Sequence, residues 1–480
     1  MRDAAPPAAN LVRELEPIFN PRRVAIVGAS NTPGKWGYSL MERPLKAGFP
    51  GEVIPVHPRD ATVMGLRAYP SVLAIPGPVD LAVLTVPAAA AAEVMRQCGE
   101  KGIRGAVVIS AGFAESGPAG ERRQAELVRV ARAAGIRFVG PNCNGMWSAT
   151  AGLSLFSPQA PQPGPIAFIS QSGAFGGALL AAAAQRGYGV SRFVSSGNQA
   201  DLNDADYLEY LADDPHTRVI AFYIEGLREG RRFLAAARRA AARKPVVVYK
   251  AGRNAVGARA VRSHTGSLMI ADALFDAACR QFGILRVRES AHLFDAAAAL
   301  ADAPLPAGPR VAVLAMTGGQ CVVTSDTCAE LGLEVPELDA EVQSRLRPLL
   351  AEHAPAPRNP VDLAGDFRDV ALFADLAEAL AEVPYIDGLI VSAPTAGMGT
   401  ALSPAAAARL RETAERMAAI PARCGKPLIV VGVQRMGAGA VAEVFRAQHI
   451  PCYETPEDAA RALDALVRYA AIKRQAATAG

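Results

Sequence analysis

Short runs of almost uninterrupted apolar residues recur along the chain, each closed by a turn of glycine or small polar residues and followed by a longer mixed stretch. Runs at 23–27, 53–56, 81–86, 106–110 and 137–139 make one set, and 166–169, 190–194, 219–224, 246–249 and 284–287 a second. A third comprises 310–315, 388–392, 428–433 and 450–453. Continuous rather than alternating apolar character reads as strands buried on both faces, and the spacers between them read as helices. Strand, turn and helix in repetition predict α/β domains of doubly wound type, with ligands across the carboxyl ends of the strands. Pro/Gly-rich linkers at Ser157–Gly164 and Ala303–Pro309 divide the chain into three expected domains, 1–156, 157–303 and 304–480.

Composition narrows the classes. Half of the 480 residues are apolar and 20% are charged, which is globular composition. The net charge is only +4 with both signs interspersed, so no nucleic-acid surface is expected. Local basic clusters suit small anions instead. The opening MRDAAPPAANLVRELEPIF carries early charges of both signs and no apolar core, so no secretory signal is expected. The most apolar windows are broken by Pro, Gly or Asp, so no membrane span is expected either. Seven cysteines without CxxC or Cys/His spacing predict reduced thiols, a cytoplasmic location and no metal site.

Candidate chemistry gathers at the turns. Lys250 to Met269 follows an apolar run and is basic and glycine-punctuated, which reads as a mobile loop leaving a strand end. Within it His264 lies among small neighbours, and Lys250, Arg253, Arg259 and Arg262 form a density suited to phosphate or carboxylate, or simply a solvated basic loop with a capping histidine. Glu225 ends the run at 219–224, a position that suits catalysis or a salt bridge; beside a histidine it could hold one tautomer. Ser170-Gln171-Ser172-Gly173-Ala174 enters a helix, so Ser172 reads as an N-cap and the helix start as an anion site. No glycine stands two positions before Ser172, so a nucleophile elbow is excluded. The turn at Gly28, Gly34 and Gly37 is not GxGxxG, and the second strand ends in His57 and Pro58 rather than an acid. That disfavours NAD, while the turn, a plain structural one or a phosphate cradle, gains a cation in Lys35. Val86, Pro87, Ser110 and Asn142 close later strands of the same domain. Cys143 reads as a small buried residue. Gly318 and Gly319 open the corresponding helix of the third domain.

Taken together and in order, VAIVGAS…PGKWGY, GPNCNG, ISQSGAFG, SSGNQADLNDADYLEYLADD, YIEGL, KAGR and SHTGSL closely resemble the α subunit of NDP-forming acyl-CoA synthetases, relatives of succinyl-CoA synthetase, over almost the whole length. The resemblance implies an N-terminal Rossmann-like CoA-binding domain followed by two flavodoxin-like domains. It implies His264 as a phosphohistidine, Glu225 as its orienting partner, and Ser172, Gly173 and Ala174, with Gly318 and Gly319, as phosphate-binding positions. Gly28, Ser30, Lys35, His57, Val86, Pro87, Ser110 and Asn142 fall where such proteins bind CoA. The implied activity interconverts a carboxylic acid, CoA and ATP with acyl-CoA, ADP and phosphate through an acyl phosphate. No P-loop or ATP-grasp segment is recognisable, so ATP/ADP with Mg²⁺ is expected on a separate ATP-grasp β subunit. The alternative is a non-catalytic CoA-binding regulatory protein, which would be expected to lose the histidine. Three departures stand out: MTGGQC in the third domain, SHTGSLMIAD without the usual Ala-Gly, and Pro44, expected to interrupt the first helix after the CoA loop.

Overall fold

A computed structural model describes residues 8–265, 271–366, 369–395, 403–432 and 439–478. The chain divides into two compact units, Met1–Leu293 and Phe294–Gly480.

The first unit holds two sheets. One is built from β1 (Arg23–Val27), β2 (Glu52–Val56), β5 (Leu81–Leu84), β6 (Gly105–Val108) and β7 (Arg137–Val139). Their order is β2-β1-β5-β6-β7, all parallel, with a small hairpin of β3 (Thr62–Val63) and β4 (Leu66–Arg67) beside it. The other contains β10 (Ile166–Ser170), β11 (Val190–Ser195), β12 (Val219–Ile224), β13 (Val246–Lys250) and β14 (Leu285–Val287), again parallel. Two further strands, β8 (Met146–Ser148) and β9 (Leu153–Ser154), extend it antiparallel beside β11, giving the order β14-β13-β12-β10-β11-β8-β9. The GPNCNG segment that closes the first run of strands therefore leads straight into the second sheet.

Burial explains why the two sheets form one unit. The helix Ala8–Phe19 is amphipathic, with Leu11, Leu15, Ile18 and Phe19 all buried. Phe19 stacks on Tyr210, ring centroids 4.5 Å apart. A single apolar cluster runs from Val24 and Ile26 through these rings to Ile169 and Val194. Arg137 fixes the same seam, reaching Glu14 at 2.7 Å and Asp201 at 2.9 Å.

The second unit carries β15 (Val311–Ala315), β16 (Val361–Asp362), β17 (Gly388–Ser392), β18 (Leu428–Val431) and β19 (Cys452–Tyr453), ordered β16-β15-β17-β18-β19 and parallel. The helix His292–Asp302 joins this unit through Tyr453, whose hydroxyl donates to the Asp295 carbonyl at 2.7 Å.

Each sheet's parallel strands therefore follow the flavodoxin-like order 2-1-3-4-5. In that order the chain reverses direction between the first and third strands, which opens a crevice at their carboxyl ends. The three crevices lie at β1/β5, β10/β12 and β15/β17.

Two sequence expectations are corrected. Pro44 does not interrupt its helix, which runs Trp36–Lys46 with Pro44 buried inside it. Proline here forgoes a single intrahelical bond near the C-terminal end, a cost that burial of the ring offsets. The expected loop after β13 is also shorter than its glycines suggested, because a helix occupies Ala255–Thr265. Asn254 starts it, its side-chain oxygen accepting the Gly257 amide at 2.8 Å, and Val261 is buried on its inner side.

Candidate functional site

At the β10/β12 crevice, small residues let a helix start sit directly on strand ends. Ser172 is the N-cap of the helix Gly173–Gln185, its hydroxyl accepting the Phe175 amide at 3.3 Å. A Cβ on Gly173 would lie 2.6 Å from the Asn144 side chain and 2.8 Å from the Ser195 hydroxyl, and one on Gly176 would lie 2.4 Å from the Ser170 hydroxyl. Only glycine allows that approach. Gly173 and Ala174 supply the first amides of the helix, which have no acceptor within it, and the helix dipole adds positive potential there.

Glu225 follows β12 and is 4% exposed. The Tyr223 hydroxyl donates to its Oε1 at 3.4 Å. Burial, reinforced by the neighbouring Glu225 charge, raises the Tyr223 phenol well above its ordinary range and keeps it a donor. Tyr223 also lies in an aromatic row, 5.1 Å from Phe175 and 5.7 Å from Tyr249 between ring centroids. Phe175 is 40% exposed, so the row has one open end beside the helix start.

Gln171 was not singled out by sequence, yet it connects these parts. Its Oε1 accepts the amides of Glu225 at 2.8 Å and Gly226 at 3.0 Å. Its Nε2 donates to the Gly226 carbonyl at 2.6 Å and to Asp204 Oδ2 at 2.7 Å. Asp204 in turn accepts Gln199 Nε2 at 2.7 Å, and Gln199 also donates to the Ser196 hydroxyl at 3.0 Å. Burial pushes the Asp204 carboxyl up to about 7 against the pull of the two amides.

Lys250 ends β13 with a buried side chain, its ammonium donating to the carbonyls of Ala251 at 3.2 Å and Gly252 at 3.3 Å. Burial lowers its pKa. It braces the turn that leads to the helix carrying His264. The His264 side chain, with those of Arg262, Ser263 and Thr265, and residues Gly266–Ile270 lie outside the described residues. The suggested contact between His264 and Glu225 falls there too.

The β1/β5 crevice collects the other candidates. Gly28 takes φ +91° at the end of β1, and its amide donates to the Val56 carbonyl at 3.1 Å. Ser30 accepts the Thr32 amide at 3.0 Å. Asn31 fastens the turn to the hairpin, donating to the Thr62 carbonyl at 3.0 Å and accepting the Met64 amide at 2.9 Å. Lys35 is exposed at the N-cap of the helix Trp36–Lys46. Val86 and exposed Pro87 follow β5, and the Ser110 hydroxyl donates to the Val86 carbonyl. Asn142, at φ +57°, donates its amide to the Ser110 carbonyl at 2.9 Å and its side chain to Asn198 at 3.2 Å. His57 is occupied locally: its Nδ1 accepts the Asp60 amide at 2.8 Å, closing the turn after β2. Cys143 is buried, and burial pushes its thiol up to about 12, so it is no nucleophile.

Gly318 and Gly319 open the helix Gly318–Glu330 of the second unit. A Cβ on Gly318 would meet Asp362 Oδ2 at 3.0 Å, so a carboxylate already stands at this helix start.

Comparison with known proteins follows the same partition. A CoA binding domain family matches residues 22–148, and a succinyl-CoA ligase like flavodoxin domain family matches 163–300. The α subunit of ADP-forming acetate–CoA ligase II from Pyrococcus furiosus is 39% identical over 95% of this chain and 98% of its own. The ADP-forming acetate–CoA ligase I of Archaeoglobus fulgidus is 38% identical over 95% of this chain and 64% of its own. A solved structure of the dinucleotide forming acetyl-coenzyme A synthetase 1 of Ca. Korarchaeum cryptofilum, in complex with phosphate and ADP, superposes with a TM-score of 0.85 at 37% identity, covering 97% of this chain and 98% of the other.

Proposed function

Since the chain belongs to the family of ADP-forming acetate–CoA ligase α subunits, and is thus a catalytic subunit of an NDP-forming acyl-CoA synthetase, we propose that it works through a phosphoryl group carried on His264. In the synthetic direction, a ring nitrogen of His264 takes the γ-phosphoryl of ATP and ADP leaves. A substrate carboxylate oxygen then attacks that phosphorus, the P–N bond breaks, and an acyl phosphate forms. The CoA sulfur attacks the carbonyl carbon and inorganic phosphate departs, leaving the thioester.

The observation that carries this reading is the β10/β12 crevice, where a helix start with free amides and a buried carboxylate share one switch point. Gly173 and Ala174 hold the phosphoryl oxygens through their amides, with Ser172 fixing the helix start. Glu225 accepts a hydrogen bond from the protonated imidazole nitrogen, which holds one tautomer and leaves the other nitrogen nucleophilic. Gly28, Ser30 and Lys35 meet CoA phosphates at the β1/β5 crevice. Val86, Pro87, Ser110 and Asn142 line its path, and the Asn142–Asn198 bond ties that path to the second sheet.

The nucleotide, with its Mg²⁺, sits on a separate β subunit of ATP-grasp type. Support comes from relatives named as α subunits and from the single-chain relative that this chain covers over 64% of its length. The seven cysteines are free thiols, which fits a reducing compartment such as cytoplasm. No helix among the described residues is long and apolar enough to cross a membrane.

The test is to mix the chain with its β partner, Mg²⁺ and γ-labelled ATP. Acid-labile, base-stable label that vanishes in His264→Ala supports the phosphohistidine, and a panel of acids with CoA then identifies the substrate. No label with an active partner, or label surviving in His264→Ala, refutes it and leaves a CoA-binding scaffold.

A further inference from the structure

One carboxylate, three strand ends and two primary amides form a continuous buried link behind the β10/β12 crevice. Asp204 is 3% exposed, Gln199 5% and Gln171 9%. Gln171 belongs to the turn after β10, Gln199 to the turn after β11, and Asp204 to the first turn of the helix Asp204–Asp213. The Gln171 amide also grips the backbone of Glu225 and Gly226 after β12 with three bonds, two accepted by Oε1 and one donated by Nε2.

We propose that Gln171 and Asp204 are positioning residues for the phosphoryl-transfer step. Asp204 holds the Gln171 amide in one orientation, and Gln171 sets the distance between the Glu225 carboxylate and the helix start at Gly173. The inference rests on the function proposed above and goes beyond it, since neither residue was given a role there and each hydrogen-bond partner of Gln171 is a protein group.

The physical argument is geometric. A primary amide has one acceptor end and one donor end. Oε1 of Gln171 meets only N–H groups and Nε2 meets only acceptors, so a flipped amide would break all four bonds at once. Of the four partners Asp204 is the only side chain, and its two oxygens accept the amides of Gln171 and Gln199, so it ties the observed Gln171 orientation to a second buried amide. Asp204 is itself held from two sides, by Gln171 and Gln199, within a capping box in which Asn203 accepts the Ala205 amide and Asp206 accepts the Asn203 amide. The strand end carrying Glu225 is thereby referenced to the same helix as the turn after β11. A carboxylate that must face a particular imidazole nitrogen needs its backbone fixed to a fraction of an ångström, and misplacement by about 1 Å is enough to lower a rate roughly 10²-fold.

The experiment uses the full chain with its β partner. Gln171→Met keeps length and volume but removes every bond, and Asp204→Asn keeps shape while turning one acceptor into a donor that faces an amide. Expected are a kcat lower by roughly 10²-fold for Gln171→Met and roughly tenfold for Asp204→Asn, with KM for CoA within about twofold of wild type. Because Asp204 acts through Gln171, the double variant should be no slower than Gln171→Met alone. Multiplicative losses, or kcat values within twofold of wild type in correctly folded variants, overturn the proposal.

Amide hydrogen exchange on the chain alone gives a readout independent of catalysis. Gln171→Met should speed exchange at Glu225 and Gly226 by at least tenfold while the β1/β5 crevice is unchanged. Unaltered exchange overturns the positioning role even if activity falls. Unlabelled His264 in wild type, with normal exchange differences in the variants, would instead mean that the link holds these loops but the reaction assigned to them is wrong.

Discussion

Replacing Gly37 by alanine tests whether the β1 turn depends on close helix–strand approach. A Cβ at this position would lie 1.9 Å from the Gly28 carbonyl oxygen, 3.0 Å from the Gly28 carbonyl carbon and 3.1 Å from that of Ala29. These are backbone atoms, so no rotamer change relieves the clash. Restoring an ordinary 3.4 Å separation requires the start of the helix Trp36–Lys46 to retreat by about 1.5 Å from the turn. That helix packs through Leu40, Met41 and Pro44, all buried, so the retreat loosens real core contacts. Overpacking of this kind costs about 1–3 kcal/mol, which corresponds to a fall in Tm of roughly 2–5 °C for a unit spanning Met1–Leu293. The second consequence is functional. The same displacement withdraws the helix N-terminus and Lys35 from any phosphate at the turn, so CoA affinity should fall at least tenfold. Gly34→Ala is the control: φ +85° with nothing within 4 Å predicts backbone strain of about 1–2 kcal/mol without a displaced helix. Calorimetric titration with CoA and thermal melting of both variants give the answer. Wild-type Tm and affinity in Gly37→Ala would refute the close-approach argument, and an equal loss of affinity in Gly34→Ala would reassign it to strain.

Further perturbations address the neighbouring structure. Asp204, whose carboxyl is pushed from 3.8 up to about 7, binds a proton in the folded chain that the unfolded chain has already released between those values, so its contribution to stability falls as pH rises through that window. Asp206 pushes in the same direction as burial, while Arg228, Gln171 and Gln199 oppose it. The stability of wild type relative to Asp204→Asn should therefore be greatest near pH 5 and shrink toward neutral pH; parallel curves would refute the assignment. Arg137→Met should cost about 2–3 kcal/mol in urea unfolding, because it strands the Asp201 carboxylate, its side chain 5% exposed, without its cation and removes the ion pair between the Ala8–Phe19 helix and β7. A loss below 0.5 kcal/mol would make the seam purely apolar. Cys98 and Cys143, buried and pushed up to about 12, should resist iodoacetamide in the native chain and react only after unfolding, whereas half-buried Cys424 should label first in a timed digest.

What the sequence reveals about this site depends on how local each interaction is. The turn at Gly28, the N-cap at Ser172 and the strand-terminal Glu225 are each written within a few consecutive residues, and their types announce their geometry. The Gln171–Asp204 bond spans 33 residues and the Gln171–Glu225 bond 54, and glutamine is common in turns, so nothing local marks them. Strands β8 and β9 are only three and two residues long, too short for periodicity to separate them from the tail of the first sheet. The helix Ala255–Thr265 was hidden by its arginines and Gly257, although arginine is a good helix former and Asn254 is a normal cap.

The shared strand order turns comparison of the three crevices into an argument about division of labour. Topology makes each a potential ligand site, so the residues at the ends of the first and third strands must decide what each does. At β1/β5 the strand ends offer glycine, small polar groups and Val86-Pro87, with a cation nearby at Lys35, a set whose chemistry suits phosphate. At β10/β12 the same glycine-and-helix device faces a buried carboxylate, the combination that proton and phosphoryl handling require. At β15/β17 the device is repeated, but its polar groups are satisfied internally. Ser392 accepts the Met316 amide at 3.3 Å and donates to Gln320 at 3.2 Å, and Asp362 stands against Gly318. A phosphate arriving at Gly318 and Gly319 would meet that negative charge at the very helix start meant to attract it. Of the two candidate phosphate positions, the helix start at Gly173 is therefore the stronger anion site, and the third crevice is the one whose glycine turn is best explained by packing.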